Sequence, residues 1–247
     1  MITRCGGVLS KRPGPHNPIG MKQDITAIGS RIFEEYLRQA YFLLEEGCVP
    51  RQIDDALQAW GWAMGPFRVI DLAGGDIGWN LRQRRAIEQP DRPYSKIPDR
   101  ICEMGRYGQK TNAGYYLYTS EARQGLRDPE IEALIVAHSA TIGLARREIA
   151  PAEIVERCHL VIINEAARLL EEGIASCASD IDGIYVNAYG FPAAKGGPLF
   201  QADLIGLPNV LDRICNYRRG HQGWAFEPAK LLTDLAAKGK SFSSISA

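Results

Sequence analysis

The sequence predicts a mainly α protein in which one helical domain occurs twice in tandem, and three observations predict it. Leu43-Leu44-Glu45-Glu46-Gly47 returns as Leu169-Leu170-Glu171-Glu172-Gly173. The segment Gly65-Pro66-Phe67 to Asp71-Leu72-Ala73-Gly74 returns, in the same order, as Gly197-Pro198-Leu199 to Asp203-Leu204-Ile205-Gly206. Apart from the few residues Tyr115 to Tyr118, no run of β-branched residues alternates long enough to form a strand. The offset between copies is 126 residues for the first motif (43 to 169) and 132 for the second (65 to 197), so copy two gained six residues between them. Insertions of that kind belong in loops.

Residues 1–25 read as an irregular tail, because Pro13, Pro15 and Pro18, with Gly14, Asn17 and Gly20 between and after them, suit no regular element. The first helical domain covers 26–120. Ile28, Ile32, Tyr36, Ala40 and Leu44 recur at helical spacing and give one apolar face ending near Gly47. Pro50 opens a second helix carrying Ile53, Ala56, Leu57 and Trp60, and Gly65-Pro66 opens a third towards Leu72. Gly74-Gly75-Asp76-Ile77-Gly78 reads as a helix C-cap and turn. A Pro-rich basic stretch, Gln89 to Arg100, leads into a loop with glycines at 105, 108 and 114, and Tyr115 to Tyr118 reads as a short extended piece.

The boundary between copies falls near residues 119 to 128, so the second domain covers 121–247. Asp128 caps a helix with Pro129 at its first position. Pro151 starts the long helix of copy two, with Ile154, Cys158, Val161, Ile162, Ala166 and Leu169 along its apolar stripe.

Composition narrows the function classes. The 247 residues are 45% hydrophobic and 23% charged, ordinary for a globular protein, and 29 Lys and Arg balance 29 Asp and Glu. No net field recruits nucleic acid or an anionic membrane. The apolar runs stop far short of the roughly 20 residues of a membrane span, and Met1 to Gly20 lacks the apolar stretch of a secretory signal. Six scattered cysteines, none in a Cys-x-x-Cys pair, read as reduced and mostly buried thiols, which gives a cytoplasmic expectation. His16, His138, His159 and His221 show no metal spacing and read as surface or satisfied core.

A dinucleotide site needs a glycine-rich turn between strand and helix, and no Gly-x-Gly-x-x-Gly occurs; phosphate-loop and Gly-x-Ser-x-Gly motifs are absent too. No cofactor is therefore expected to bind this chain, and no complete active site is legible. Asp71 and Asp203 occupy equivalent positions, which suits holding backbone N–H groups better than acid–base work, since one active site needs only one of them. Trp60, Trp62, Phe67 and Trp79 read as core or a subunit contact, with the wall of an acyl channel as the alternative, and Lys195 reads as a loop charge.

Residues from about 26 to 240 resemble the C-terminal region of the 3-hydroxyacyl-CoA dehydrogenase part of bifunctional fatty-acid oxidation enzymes. The resemblance lies in Ile28-Gly29-Ser30-Arg31-Ile32-Phe33, in Gly65-Pro66-Phe67 to Gly74, and in Gly105-Arg106-Tyr107-Gly108-Gln109-Lys110-Thr111. Copy two adds Asn164-Glu165, Gly190-Phe191-Pro192 and Gly196-Gly197-Pro198. It implies tandem helical domains of the 6-phosphogluconate-dehydrogenase C-terminal type, with the Rossmann domain absent from this chain. In the complete family enzyme that domain binds NAD and supplies a His–Glu pair; bifunctional members also carry an enoyl-CoA hydratase domain.

The family asparagine that orients the thioester beside the catalytic histidine falls at Ser30, the implied catalytic position. Ser30 reads equally as a plain helix N-terminal residue. Arg31 and Lys110 are the implied substrate-binding residues, Lys110 with a solvated charge as its alternative. The implied function is the C-terminal substrate and dimerisation half of an NAD-dependent (S)-3-hydroxyacyl-CoA dehydrogenase of β-oxidation, truncated or dependent on a separate Rossmann-containing subunit. A non-catalytic acyl-CoA-binding or scaffold protein is the alternative, and a fragment without function a third. Turnover by the chain alone is not expected, and a homo-oligomer is, through an apolar patch on the first repeat.

Overall fold

The computed structural model describes residues 18–245, with side chains from residue 26 onward. Among these residues there are eleven α-helices and no strand. The first repeat is α1 (Pro18–Glu46), α2 (Pro50–Trp60), α3 (Pro66–Ala73), α4 (Gly75–Glu88) and α5 (Ile97–Glu103), and α6 (Pro129–Thr141) follows it. The second is α7 (Pro151–Glu171), α8 (Ala178–Ala188), α9 (Pro198–Ile205), α10 (Leu207–Tyr217) and α11 (Lys230–Ala237).

Four local expectations change. Helix α1 begins at Pro18, eight residues before Thr26, because proline fits the first helical position; residues 1–17 of the expected tail lie outside the described residues. The glycine cluster is a single-residue hinge rather than a longer turn: Gly74, at φ +105, ends α3 and starts α4 directly. The Pro-rich stretch closes into α5, where Pro98 sits in the first turn. Tyr115 to Tyr118 forms no strand; its surroundings hold the isolated bridges Gly108–Ala113, Ala113–Leu117 and Leu117–Leu126. Asp128 does cap α6, accepting from the Glu130 N–H at 3.0 Å.

The duplication is visible helix by helix. Helices α2 and α8 have 11 residues each, and α3 and α9 have 8 each. The six extra residues of copy two divide between the loop entering α8 and the connection from α8 to α9, which holds a short 3-10 turn over Ala193–Lys195.

The two long helices, α1 and α7, pack against one another as the spine of the molecule. Their polar contacts follow an approximate two-fold. Arg31 on α1 donates to Glu165 (2.5 Å) and Glu172 of the second repeat. Its counterpart on α7, Arg157, pairs with Glu46 at 2.5 Å. With the Gln39 amide turned so that its oxygen faces the guanidinium, that oxygen accepts from Arg157 Nε at 2.8 Å. Positions 31, 39 and 46 correspond to 157, 165 and 172 at the same 126-residue offset. A seam in which i meets j and j meets i is the signature of an isologous interface, here inside one chain. Gly29 lets Tyr189, just past α8, lie on α1; a Cβ there would strike its ring.

Beneath this seam lies one continuous apolar core shared by both repeats, from Ile28 and Ile32 through Ile162 and Leu169 to Phe242. Trp62 and Phe67 are buried in it, whereas Trp60 and Trp79 stay half-buried. The buried Glu45 carboxylate ties α1 to α6 and to the segment after α10, holding His138 Nε2 at 3.1 Å and His221 Nε2 at 2.8 Å.

Two aspartates staple each repeat, buried in the first and half-buried in the second. Asp54 accepts from the N–H groups of Phe67 and Arg68 and from the Tyr116 hydroxyl at 2.7 Å. Asp182, its counterpart on α8, accepts from Leu199 and Phe200 N–H at 2.7 and 3.0 Å. Each thereby caps the helix that opens with Gly-Pro, closing orphan N–H groups. Asp71 and Asp203 do hold backbone N–H groups: those of Tyr115 and Tyr116 in one repeat and of Phe242 and Ser243 in the other.

Burial pushes the Asp54 carboxyl up to about 7 from 3.8, although its three donors pull it back down. The folded state then keeps a proton that the unfolded chain has released between about pH 4 and 7. Asp54 therefore contributes less stability as pH rises through that window. Urea melts at pH 5, 6 and 7.5 should show wild type losing ground against Asp54→Asn with rising pH; a constant difference would contradict the assignment.

Candidate functional site

Helices α1, α3 and α4 enclose an apolar groove of about 460 Å³, lined by Phe33, Leu37, Val69, Ile70, Ile77 and Leu81. Its shape follows from the Gly74 hinge, which folds α4 back beside α3 without a loop. Ser30 stands at its edge, one turn before Phe33 and Glu34. The hydroxyl is exposed and donates to the Thr26 carbonyl at 2.6 Å, back along its own helix. A serine so bonded keeps its lone pairs as acceptors and presents no amide N–H.

Lys110 lies outside the lining, beside the Gly74 hinge. Its Nζ would lie 2.9 Å from a Cβ at Gly74, it pairs with Asp76 at 2.5 Å, and it stands 5.7 Å from the centre of the Tyr107 ring. The pair is exposed, so Lys110 remains free to exchange Asp76 for an anion from solvent. Arg31 is placed elsewhere: its guanidinium lies in the α1–α7 seam, and Glu172 above all, with Glu165, holds it charged. The structure thus places Ser30 in the groove, sets Lys110 outside its lining beside Gly74, and engages Arg31 between the repeats. Glu34 and Tyr94 add a polar strip to the groove, hydrogen-bonded to one another.

No histidine lines this groove, and its one carboxylate, Glu34, accepts from the Tyr94 hydroxyl. The glycine cluster beside it does not fit a dinucleotide. It joins two helices instead of a strand and a helix, so no strand end presents a pyrophosphate to the helix N-terminus. No group of three or more His, Cys, Asp or Glu among the described residues is placed to hold a metal ion. No helix among them is long and apolar enough to cross a membrane. All five described cysteines are free thiols, and Cys48, Cys102 and Cys158 are buried.

Sequence reasoning did not find Asp54 and Asp182, although an Ile-Asp pair precedes the Gly-Pro motif in each copy, at Ile53-Asp54 and Ile181-Asp182. Nor did it find that His159 lines a cavity of the second repeat. Its only sequence signal is its place opposite Phe33 in the repeat.

The fold and the site define a duplicated helical scaffold with an apolar groove edged by Ser30, Glu34, Arg82 and Tyr94. The chain belongs to the family of the 3-hydroxyacyl-CoA dehydrogenase C-terminal domain, which it matches twice, over residues 28–118 and 154–243. The peroxisomal bifunctional enzymes of Danio rerio and Homo sapiens are 42% and 41% identical over 86% of this chain, which covers 32% and 31% of their lengths. A fatty acid oxidation complex subunit alpha from Psychrobacter is 30% identical over 86% of the chain and 30% of its own length. The chain therefore spans about a third of the curated relatives it matches.

Among solved structures, the dehydrogenase part of multifunctional enzyme 1 from C. elegans superposes with a TM-score of 0.66 at 24% identity, over 85% of this chain and 47% of that one. The 3-hydroxybutyryl-CoA dehydrogenase of Escherichia coli gives 0.66 at 20% identity, over 86% and 60%. These likenesses establish the helical fold.

Proposed function

We propose that this chain is the substrate-holding C-terminal half of an NAD-dependent (S)-3-hydroxyacyl-CoA dehydrogenase of fatty-acid β-oxidation. The reading rests above all on the Ser30 groove, apolar along its wall and polar at one end, in a chain of this family. The overall reaction oxidises the 3-hydroxyl to a ketone, its hydride passing to NAD and its proton to a base. NAD supplies the hydride acceptor when bound, and it belongs with the base on a Rossmann-bearing segment or subunit. This chain's part is to receive the acyl chain along Leu37, Val69 and Leu81, to accept a hydrogen bond at Ser30 Oγ, and to meet an anionic group at Lys110.

The exposed apolar residues Leu72, Ile77 and Ile87 of α3 and α4 are where we dock that Rossmann-bearing part. Self-association is the weaker use of this patch, because the isologous α1–α7 seam already joins two repeats inside the chain. Relatives named as peroxisomal or glyoxysomal favour a compartment of that type over the cytoplasm, and reduced thiols suit both.

The test is NADH oxidation with acetoacetyl-CoA. The chain alone should show no turnover above a protein-free control, and turnover should appear when the Rossmann domain of a relative is supplied in trans. Activity of the chain alone would overturn the reading. Ser30→Asn restores a paired amide donor and acceptor at the groove and should raise kcat of the complemented pair about tenfold, near 1.4 kcal/mol. No change would remove Ser30 from the site.

A further inference from the structure

The repeat that duplicates the helices also duplicates the groove. Helices α7, α9 and α10 of the second repeat, with the end of α2, enclose a larger cavity of about 790 Å³. Its lining corresponds to that of the first groove at the offsets of the duplication. Glu156 takes the place of Ser30, His159 of Phe33 and Ile163 of Leu37; Ile205 takes the place of Ala73, Val210 of Gly78 and Arg213 of Leu81. Both volumes fall in the range of small-molecule sites.

The chemistry differs at two places. The Trp62 indole N–H donates to His159 Nε2 at 2.9 Å, so the ring proton sits on Nδ1. Burial above all, with Lys195 nearby, pushes this imidazole down to about 3, so it stays a neutral single donor. It is held against Trp60, 4.0 Å between ring centres, and faces Phe191 at 5.9 Å.

At the mouth, the charged side chains that line the cavity are already paired. Glu156 accepts from Arg213 at 2.9 Å and from the Tyr217 hydroxyl at 2.6 Å. Glu153 is held by Arg147 and Arg157. A carboxylate or phosphate entering would have to displace one of these carboxylates, whereas an uncharged chain would not.

We propose that the second-repeat groove binds an uncharged fatty acyl thioester, its hydrocarbon along Leu160, Ile163 and Ile205 and its carbonyl accepting from His159. The site binds without reacting: where the first groove offers the Ser30 hydroxyl, this one has Glu156, fixed by Arg213 and Tyr217. The inference takes the acyl class of ligand from the proposed function of the first groove and its geometry from the second.

The test uses decanoyl-pantetheine titrated calorimetrically into the whole chain. Tryptophan is placed at equivalent rim positions, Ala73→Trp in the first groove and Ile205→Trp in the second, with circular dichroism melts as the folding check. The wild type should bind two equivalents, and each variant one. Loss of a site in Ile205→Trp with no effect of Ala73→Trp would support this site while sinking the reading of the first groove. Loss confined to Ala73→Trp, an effect of neither variant, or no binding by the wild type would overturn it. Should Ile205→Trp fail to fold, His159→Phe replaces it, with the expectation that one of two sites weakens at least tenfold. Equal affinity at both sites in that variant would count against the proposal.

Discussion

Asp71→Ala should destabilise the chain by about 4 kcal/mol, against about 1 kcal/mol for Asp203→Ala at the equivalent position of the second repeat. The chemistry removed is the same, but the surroundings are not. Asp71 is buried and accepts from the Tyr115 and Tyr116 N–H groups, each at 3.0 Å, and from the Tyr118 hydroxyl at 2.9 Å. Truncation strands three donors where water does not replace the acceptor. Asp203 is half-exposed and accepts only from Phe242 and Ser243 N–H, at 2.7 and 3.0 Å, so solvent can take over.

The loop closed by Asp71 has been shaped around it. Gly108 and Gly114 come so close that a Cβ at either would overlap Asp71 itself. Gly108 also has a φ of +99, which a side chain rarely adopts. Urea denaturation of wild type and both variants checks the expectation. A loss of about 4 kcal/mol is a large share of the 5–15 kcal/mol of a typical domain. Equal losses from the two variants would show that burial and the third donor do not matter. Because Asp71 lies in the last turn of α3, whose far side lines the first groove, Asp71→Ala should also loosen that groove.

The fold class was legible from the duplicated motifs, and several helix starts were legible because prolines and glycines fix backbone positions locally. Pro50, Pro66, Pro129, Pro151 and Pro198 each open a helix. What resisted reading is what tertiary contact decides. Helix α4 carries no clear apolar stripe, since Arg82 is buried against Asp99 at 2.7 Å while Ile77 and Ile87 are exposed, so its periodicity gave no signal. Helix α5 is seven residues within a Pro-rich stretch, and Ile97 and Ile101 place it only once the core exists. At the site, Ser30 was found through a motif, and its groove follows from the Gly74 hinge. Arg31 sits in that same motif, yet its role depends on Glu165 and Glu172, more than 130 residues away. No local pattern reports a partner at that distance. The duplication does, because Arg157 recurs at the same offset with its own acceptors, Glu46 and Gln39.

That recurrence supports the second large expectation: Arg157→Ala should cost about 3 kcal/mol, and Arg31→Ala about 1 kcal/mol. The two arginines are related by the internal two-fold, but Arg157 is 3% exposed and Arg31 33% exposed. Removing Arg157 leaves the buried Glu46 carboxylate with Arg147 alone, at 3.2 Å, and leaves the Gln39 oxygen without its donor. Removing Arg31 exposes Glu172 to water, while Glu165 keeps Arg168 at 2.9 Å.

Burial, more than charge count, separates the two seats after duplication. The buried seat sets Arg157 and Arg147 against Glu46 and Glu153, with the neutral Gln39 amide as a further acceptor. The exposed seat sets Arg31 and Arg168 against Glu165 and Glu172, where solvent screens the pairs. If desolvation sets the cost, Arg157→Leu combined with Glu46→Leu should recover most of the loss, because a buried ion pair can be replaced by apolar groups far more cheaply than it can be broken. Thermal and urea melts of the single and double variants measure this as a coupling energy. A double variant as unstable as Arg157→Ala would instead mean that the seam needs its charges to hold the two repeats in register. In that case Arg31→Ala should fail by as much as Arg157→Ala, despite its exposure.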